Sequence, residues 1–308
     1  MMHITLLGTS ALVPTPERAL TAATLECAGH TILFDCGEGT QTAARAAGVS
    51  LMKADMIALT HYHGDHIFGL PGLMQTMFSM GRTQPLTLTG PEGLKEAMKP
   101  VLRLTGWTTY DIRLLTLPPE GLRLHELDAG WPVEARLTAF PTEHRVPSQG
   151  YCFTLGRAGK FQPERARALN VPTQQWGLLQ KGQSVRVGDA EVLPEQVLGA
   201  PRQGLKFVFS GDTAACPSLT EAARDADLLI CEATYGENEQ AQLAIDHGHM
   251  NFAQAARTAA DAGAKRLWLT HYSQMIEDPA EYLPNAAALY PEAVCGEPGL
   301  SVTLKFVD

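Results

Sequence analysis

The sequence predicts an α/β protein, with two sheets and outer helices in one globular unit over residues 1–308. Three observations point there. Short apolar strands alternate with helices and hairpins, and the pattern runs twice, on either side of a less regular stretch. Hydrophobic residues make up 45% and charged residues 19%, near globular averages, so disorder is not expected. Twenty-eight Gly and twenty Pro imply many turns, as in α/β or β-rich enzymes.

Ile4–Leu7 starts the first strand, which ends at Gly8-Thr9-Ser10, and Pro14-Thr15-Pro16 forces a loop. Ala23–Cys27 and Thr31–Phe34 form a hairpin around Gly29-His30. Asp35-Cys36-Gly37-Glu38-Gly39 is a Gly-rich turn, and Thr40–Ala47 is a helix closed by Gly48. Asp55–Thr60 is a short buried strand that delivers the chain to His61. A Met-rich helix covers Leu70–Met80, a strand Leu86–Leu88 and a helix Gly93–Arg103. Strands follow at Ile112–Leu117, Val133–Phe140 and Gly150–Leu155. Residues 157–203 have mixed periodicity and no strong core pattern, so they are expected to form an insertion. Regularity returns with Phe207–Ser210, Leu228–Cys231, the helix Phe252–Ala262 and Leu267–Thr270.

No apolar run approaches the roughly 20 residues that cross a bilayer. The N-terminus lacks the pattern of a secretion signal. The six Cys include no CxxC pair, so a Cys-ligated zinc site or a disulfide framework has no support. A cytoplasmic location is expected. The formal charge of −9 argues against a broadly basic nucleic-acid binder. The charge is uneven, however. Arg157–Lys206 holds eight basic and four acidic residues, a local +4, which leaves 16 basic and 29 acidic elsewhere, or −13. A basic segment on an acidic body can steer a polyanion to one place; a solvated surface segment is the plain alternative.

Three of the ten His fall in Thr60-His61-Tyr62-His63-Gly64-Asp65-His66, an H-x-H-x-D-H spacing after a buried strand. A core or surface role explains one isolated histidine, but not three with an aspartate in six residues. In a tight loop, alternation puts His61 and His63 toward one metal and Asp65 and His66 toward a second. Imidazole and carboxylate ligands suit Zn²⁺, with Mn²⁺ as a harder substitute. Three further polar residues stand just past apolar strands: His144, Asp212 and His271.

This order of residues resembles the metallo-β-lactamase superfamily. Phe34-Asp35-Cys36-Gly37-Glu38-Gly39-Thr40-Gln41 and Gly69–Arg82 resemble the ribonuclease Z family within it, the tRNA 3′-processing endoribonucleases. The resemblance runs nearly end to end. It implies an αβ/βα sandwich, a site of two zinc ions, a cytoplasmic homodimer, and an arm at 157–203 that grips precursor tRNA. It also implies a ligand set. His61, His63 and His144 would hold one zinc, Asp65, His66 and His271 the other, and Asp212 would bridge them. Asp65 would double as the base, and Asp35 would orient the ligand loop.

Phosphodiester hydrolysis also needs a proton for the leaving oxygen. By the same resemblance His249 would supply it, polarised by Glu232, with His247 as the rival. His3, His30 and His125 have no motif context and are expected to be structural. Arg165, Arg167, Lys181 and Arg186 on the arm, and Arg18 on the Pro14–Ala19 loop, would meet phosphates. Trp176 would anchor the arm's own core.

Several motifs differ from the family. Cys231-Glu232-Ala233-Thr234 stands where it usually shows His-Glu-Ala-Thr, and His249-Met250-Asn251 where it shows His-Ser-Thr. The Pro14–Ala19 loop and the arm's Val171–Trp176 segment also depart from it. These changes are expected to weaken the choice of tRNA. A second reading is therefore a zinc phosphodiesterase acting on small or cyclic nucleotide diesters. A third is a non-catalytic RNA-binding or metal-storage protein.

Overall fold

In the computed structural model, which describes residues 1–307, the chain builds two seven-stranded sheets and one small hairpin. The first sheet takes β1 (Met2–Gly8), β2 (Ala22–Cys27), β3 (His30–Phe34), β4 (Ala54–Ala58), β5 (Leu86–Thr89) and β6 (Ile112–Leu115), in that order. The second takes β7 (Leu122–Arg123), β8 (Ala135–Pro141) and β9 (Gln149–Arg157). The hairpin of β10 (Val185–Val187) and β11 (Ala190–Val192) interrupts it, and β12 (Arg202–Phe209), β13 (Leu228–Glu232), β14 (Leu267–Thr270) and β15 (Ala293–Cys295) complete it. The final strand, β16 (Ser301–Leu304), returns to the first sheet beside β1.

Strand periodicity explains the layering. Along β3 and β4, Ile32, Phe34, Met56 and Ala58 point inward, while Leu33 and Ile57 point out. Along β12 and β13, Phe207, Phe209, Leu228 and Ile230 point inward, while Val208, Leu229 and Cys231 point out. Side chains alternate faces along a strand, and both faces of these strands are covered, so they read as continuous apolar runs. The inward sets meet between the sheets. Phe34 packs there at 5.4–5.8 Å from the rings of Tyr151, Phe207 and Phe209. Burying one such ring is worth roughly 1.5–3 kcal/mol.

The outward faces are covered by helices. Against the first sheet lie α1 (Thr40–Ala46), the short α2 (Gly64–Ile67), α3 (Leu70–Ser79) and α4 (Leu94–Thr105). Three short helices belong to the insertion: α5 (Pro163–Ala168), α6 (Trp176–Gln180) and α7 (Pro194–Val197). Against the second sheet lie α8 (Pro217–Ala222), α10 (Phe252–Ala262) and α11 (Leu283–Ala287), while α9 (Ala241–His247) precedes α10 with Leu243 and Ile245 exposed. Helix α10 shows how the sequence sets its own ends. Asn251 accepts a bond from Gln254 N–H at 2.8 Å, the Gln254 side chain accepts from Asn251 N–H at 2.9 Å, and Gly263 closes the helix at φ 64°. Phe252, Ala255, Ala256, Ala259 and Ala262 form its buried stripe. The layers are helix, sheet, sheet, helix: the αβ/βα sandwich of the metallo-β-lactamase fold.

Two expectations are corrected. The β2–β3 turn is Ala28-Gly29, at φ 53° and 89°, and His30 already belongs to the strand. Asp65 and His66 ride on the single turn α2, so helical geometry and not loop alternation aims them. The insertion has a core of its own, as the Trp176 reading expects, built from Ala166, Val171, Leu179, Val185, Val192 and Val197. Trp176 packs against it and donates from Nε1 to the Val171 carbonyl at 3.0 Å, as an anchor would. The neck of the insertion is closed by Gly199 N–H donating to the Lys160 carbonyl at 2.8 Å.

Candidate metal centre

The site lies where strands of both sheets end. β4 leads into Thr60 and His61, β8 is followed by His144, β12 by Asp212 and β14 by His271. Backbone strain marks the spot: Asp35 and His271 adopt left-handed φ values of 55° and 60°. Gly248 sits at φ 74°, and a Cβ there would approach His144 Nδ1 to 3.0 Å.

Nearly every imidazole is held by the nitrogen it turns away from the centre. His66 Nδ1 donates to Asp35 at 2.8 Å, and His144 Nδ1 donates to the Gly248 carbonyl at 2.8 Å. His61 Nδ1 meets Thr60 Oγ1 at 3.1 Å, and that hydroxyl donates to Asp35 at 2.8 Å. His271 Nδ1 meets Thr234 Oγ1 at 2.9 Å. Such partners fix the tautomer and leave Nε2 with a lone pair facing inward.

The inward nitrogens form two groups. His61 Nε2 lies 2.9 Å from His63 Nδ1, which lies 3.4 Å from His144 Nε2. His66 Nε2 and His271 Nε2 lie 3.6 and 3.5 Å from Asp65 Oδ2. Asp212 Oδ2 reaches both groups, at 3.7 Å from His61, 3.3 Å from His66 and 3.2 Å from His271. Ligand atoms of His61, His63, His144 and Asp212 all lie within 4.8 Å of one another, as do those of Asp65, His66 and His271.

The chemistry of this donor set fits metal cations. His66 Nε2, His271 Nε2 and Asp212 Oδ1 are buried and have no hydrogen-bond partner among the described residues. Leaving such atoms unmatched costs about 1–3 kcal/mol each, and a cation would satisfy them together. Electrostatics agree. Burial opposes the charge on Asp212, yet the imidazoles of His271, His66 and His61 outweigh it and hold the carboxyl well below the usual range. Burial, reinforced by the neighbouring His66, pushes His61 well below its ordinary value, toward the neutral form that ligates.

A second pair stands beside the cluster. His249 Nδ1 lies 2.8 Å from Glu232 Oε1, and its ring stacks on His271 at 5.5 Å. Burial lowers the affinity of His249 for a proton, but the Glu232 carboxylate outweighs it and raises the group to about 9. His247 instead pairs with Tyr235 Oη at 2.5 Å, at the mouth of the 380 Å³ cavity that opens onto the cluster.

The structure thus brings together His61, His63, Asp65, His66, His144, Asp212 and His271, with Glu232 and His249 next to them. It does not bring Arg18 there. The half-buried Arg18 guanidinium donates to the Ile276 and Glu277 carbonyls at 2.6 and 3.3 Å, which holds it against the chain after β14. Arg165, Arg167, Lys181 and Arg186 are exposed on the insertion and line no part of the cavity. Two of the motif departures do not face RNA. Cys231 and Met250 are fully buried in the outer core of the second sheet, and Asn251 is the α10 cap. Sequence reasoning missed Thr60 and Thr234 as bridging hydroxyls and the Leu12 N–H, which donates to Asp65 at 2.9 Å. Position beside a ligand was the signal for Thr60, and membership of the Cys231-Glu232-Ala233-Thr234 motif was the signal for Thr234; Leu12 had none.

A family described as "Beta-lactamase superfamily domain" matches residues 194–272, and one described as "Anti-Pycsar protein Apyc1" matches residues 2–151. With the sandwich and the His/Asp cluster, this makes the chain a metal-dependent hydrolase of the metallo-β-lactamase fold. A ribonuclease Z from Lachnoclostridium phytofermentans is 39% identical over 308 residues, covering 99% of both chains, and one from Clostridium tetani is 39% identical over 310 residues, again covering 99% of both. The chain belongs to the ribonuclease Z family. The crystal structure of the short form of human tRNase Z superposes with a TM-score of 0.68, with 26% identity over 99% of this chain and 100% of that one.

Proposed function

We propose that the chain is a zinc-dependent endoribonuclease that removes the 3′ trailer of precursor tRNA. The observation that carries this is the end-to-end similarity to ribonucleases Z together with a clustered His/Asp donor set and a separate His–Glu pair. His61, His63 and His144 would hold one zinc, Asp65, His66 and His271 a second, with Asp212 between them; Mn²⁺ is a feasible substitute. Zinc in such a site supplies Lewis acidity, which neutralises charge on the phosphoryl oxygens and makes water acidic enough to attack near neutral pH.

The chain's own residues supply the rest. Asp65 stays ionised beside His271 and His66 and is the base that accepts a proton from water. His249 donates the proton that the departing ribose oxygen needs, and Glu232 keeps its Nδ1 occupied so that Nε2 is the donor. Arg165, Arg167, Lys181 and Arg186 hold tRNA phosphates away from the cut. The resemblance to ribonuclease Z extends to a cytoplasmic location and to a homodimer, the second of which light scattering of the purified protein tests.

One observation favours a second reading, a phosphodiesterase for small or cyclic nucleotide diesters: the Arg18 guanidinium is held by the Ile276 and Glu277 carbonyls and is not turned out from its loop toward RNA. Purified enzyme on precursor tRNA, a cyclic nucleotide and an aryl phosphodiester separates the two. The first reading expects kcat/KM to be highest on precursor tRNA, with one cut at the 3′ side. A higher kcat/KM on the cyclic nucleotide overturns it.

A further inference from the structure

Two side-chain relays with the same bonding stand on opposite sides of the centre. In the first sheet's half, Asp35 receives the Thr60 hydroxyl at 2.8 Å, Thr60 Oγ1 meets His61 Nδ1 at 3.1 Å, and Asp35 also binds His66 Nδ1 at 2.8 Å. In the second sheet's half, Glu232 receives the Thr234 hydroxyl at 2.9 Å, Thr234 Oγ1 meets His271 Nδ1 at 2.9 Å, and Glu232 also binds His249 Nδ1 at 2.8 Å. Each is a carboxylate that holds one imidazole directly and a second through a threonine. Thr234 Oγ1 also lies 3.2 Å from His249 Nδ1, a contact that has no Thr60–His66 counterpart among the described residues, and the two differ in one further respect. Both imidazoles of the first relay point into the metal cluster, whereas the second relay joins a cluster imidazole to the proposed acid.

Hydrogen-bond directions follow from the partners. Glu232 accepts from the N–H groups of Thr213, Thr234 and Met250 at 2.8, 3.3 and 3.0 Å, so both of its oxygens already serve as acceptors. Thr234 gives its hydroxyl proton to the same carboxylate. The hydroxyl is then left with lone pairs and must receive from His271. His271 therefore carries its proton on Nδ1 and presents a bare Nε2 beside Asp212 and Asp65.

We infer that Thr234 is a positioning residue that couples the metal cluster to the acid pair, its one hydroxyl setting the tautomer of His271 and the aim of Glu232 at His249. This rests on His271 being a zinc ligand. Thr60 performs the first task alone, because the other partner of Asp35 is a cluster imidazole and not an acid.

The test compares Thr234→Val, Thr234→Ser and Thr60→Val, with His271→Ala as reference. Zinc affinity is measured by competition with a chromogenic chelator, with no substrate present. Thr234→Val should bind the weaker zinc about 10–100-fold less tightly, the usual cost of losing such a partner. Rates are then taken at saturating zinc on RNA and on a p-nitrophenyl phosphodiester, whose leaving group needs no proton. Thr234→Val should lower the RNA-to-aryl rate ratio at least tenfold. Thr60→Val should weaken zinc but leave that ratio as in the parent. Thr234→Ser should restore both readouts to within a few fold. Should valine prevent folding, judged by the melting temperature of the metal-free protein, Thr234→Ala takes its place.

Unchanged zinc affinity, or an unchanged RNA-to-aryl ratio, in the Thr234 variant overturns the coupling. If His271→Ala also leaves zinc affinity unchanged, the ligand reading fails and the coupling with it. If only the Thr234 variant is silent, the ligand reading stands and the coupling alone falls.

Discussion

His61, His66, His144 and His271 in the cluster are each pinned by a second bond, to Thr60, Asp35, the Gly248 carbonyl and Thr234. On the insertion at 157–203, Arg165, Arg167, Lys181 and Arg186 stand exposed over a core of six small or medium apolar residues. The difference follows from what each region must recognise. A cation or a reacting proton requires ligand atoms placed to a fraction of an ångström, and that needs burial and supporting bonds. A phosphate backbone is met by charge, which acts over several ångströms and tolerates mobile side chains. Precision should therefore be costly to disturb in the cluster and cheap to disturb on the insertion.

The comparison makes graded predictions. The largest effect is expected at Asp212, whose one carboxylate reaches both ligand groups. Asp212→Ala should lower bound zinc and abolish turnover on every substrate together. Elemental analysis of a fully active preparation with no more than one metal per chain would remove the two-metal site.

Next comes His249. His249→Ala should keep the metal content and lower kcat on RNA by roughly 10²–10⁴, the scale of general-acid loss. On a p-nitrophenyl phosphodiester the loss should shrink to a few fold. If His247→Ala shows that selectivity instead, the acid is the histidine paired with Tyr235 and the geometry around Glu232 has been misread.

Removing the insertion should act on binding alone. Lys160 and Gly199 are already hydrogen-bonded, so residues 161–198 can be replaced by a short linker. KM for precursor tRNA should rise about tenfold or more and lose much of its salt dependence, because phosphate contacts vanish while the centre stays. Equal losses on tRNA and on a small diester would mean that the insertion supports the catalytic body, and the contrast drawn above would be wrong.

The smallest effect is expected at Arg18. Its bonds run to the Ile276 and Glu277 carbonyls, so Arg18→Ala should cost about 1 kcal/mol in a denaturant titration. KM for precursor tRNA should stay within about twofold. A large rise in KM would show that the loop releases this arginine to RNA.

Legibility in the sequence followed burial. Strands buried on both faces, such as β4, β12 and β13, stand out as apolar runs. Edge strand β16 does not, because Ser301 and Thr303 are exposed and its pattern resembles a loop. Of the core of the insertion only the anchoring Trp176 is legible, for another reason. Its apolar residues come from α5, α6, α7, β10 and β11, each only three to six residues long and too short for a period to show, and from Val171 in a connection.

The sequence by itself determined which residues could ligate and roughly where they would sit. His61, Asp212 and His271 follow apolar strands directly, and a strand end is a local property. Tertiary structure alone decided which nitrogen each histidine offers. That choice belongs to the partner of the opposite nitrogen, and the partners are distant in the chain: Asp35 for His66, 31 residues away, and the Gly248 carbonyl for His144, 104 residues away. It also separated His249 from His247, two residues apart in sequence, by giving one Glu232 and the other Tyr235. Spacing along a chain carries no information about hydrogen-bond partners that only folding brings within 3 Å.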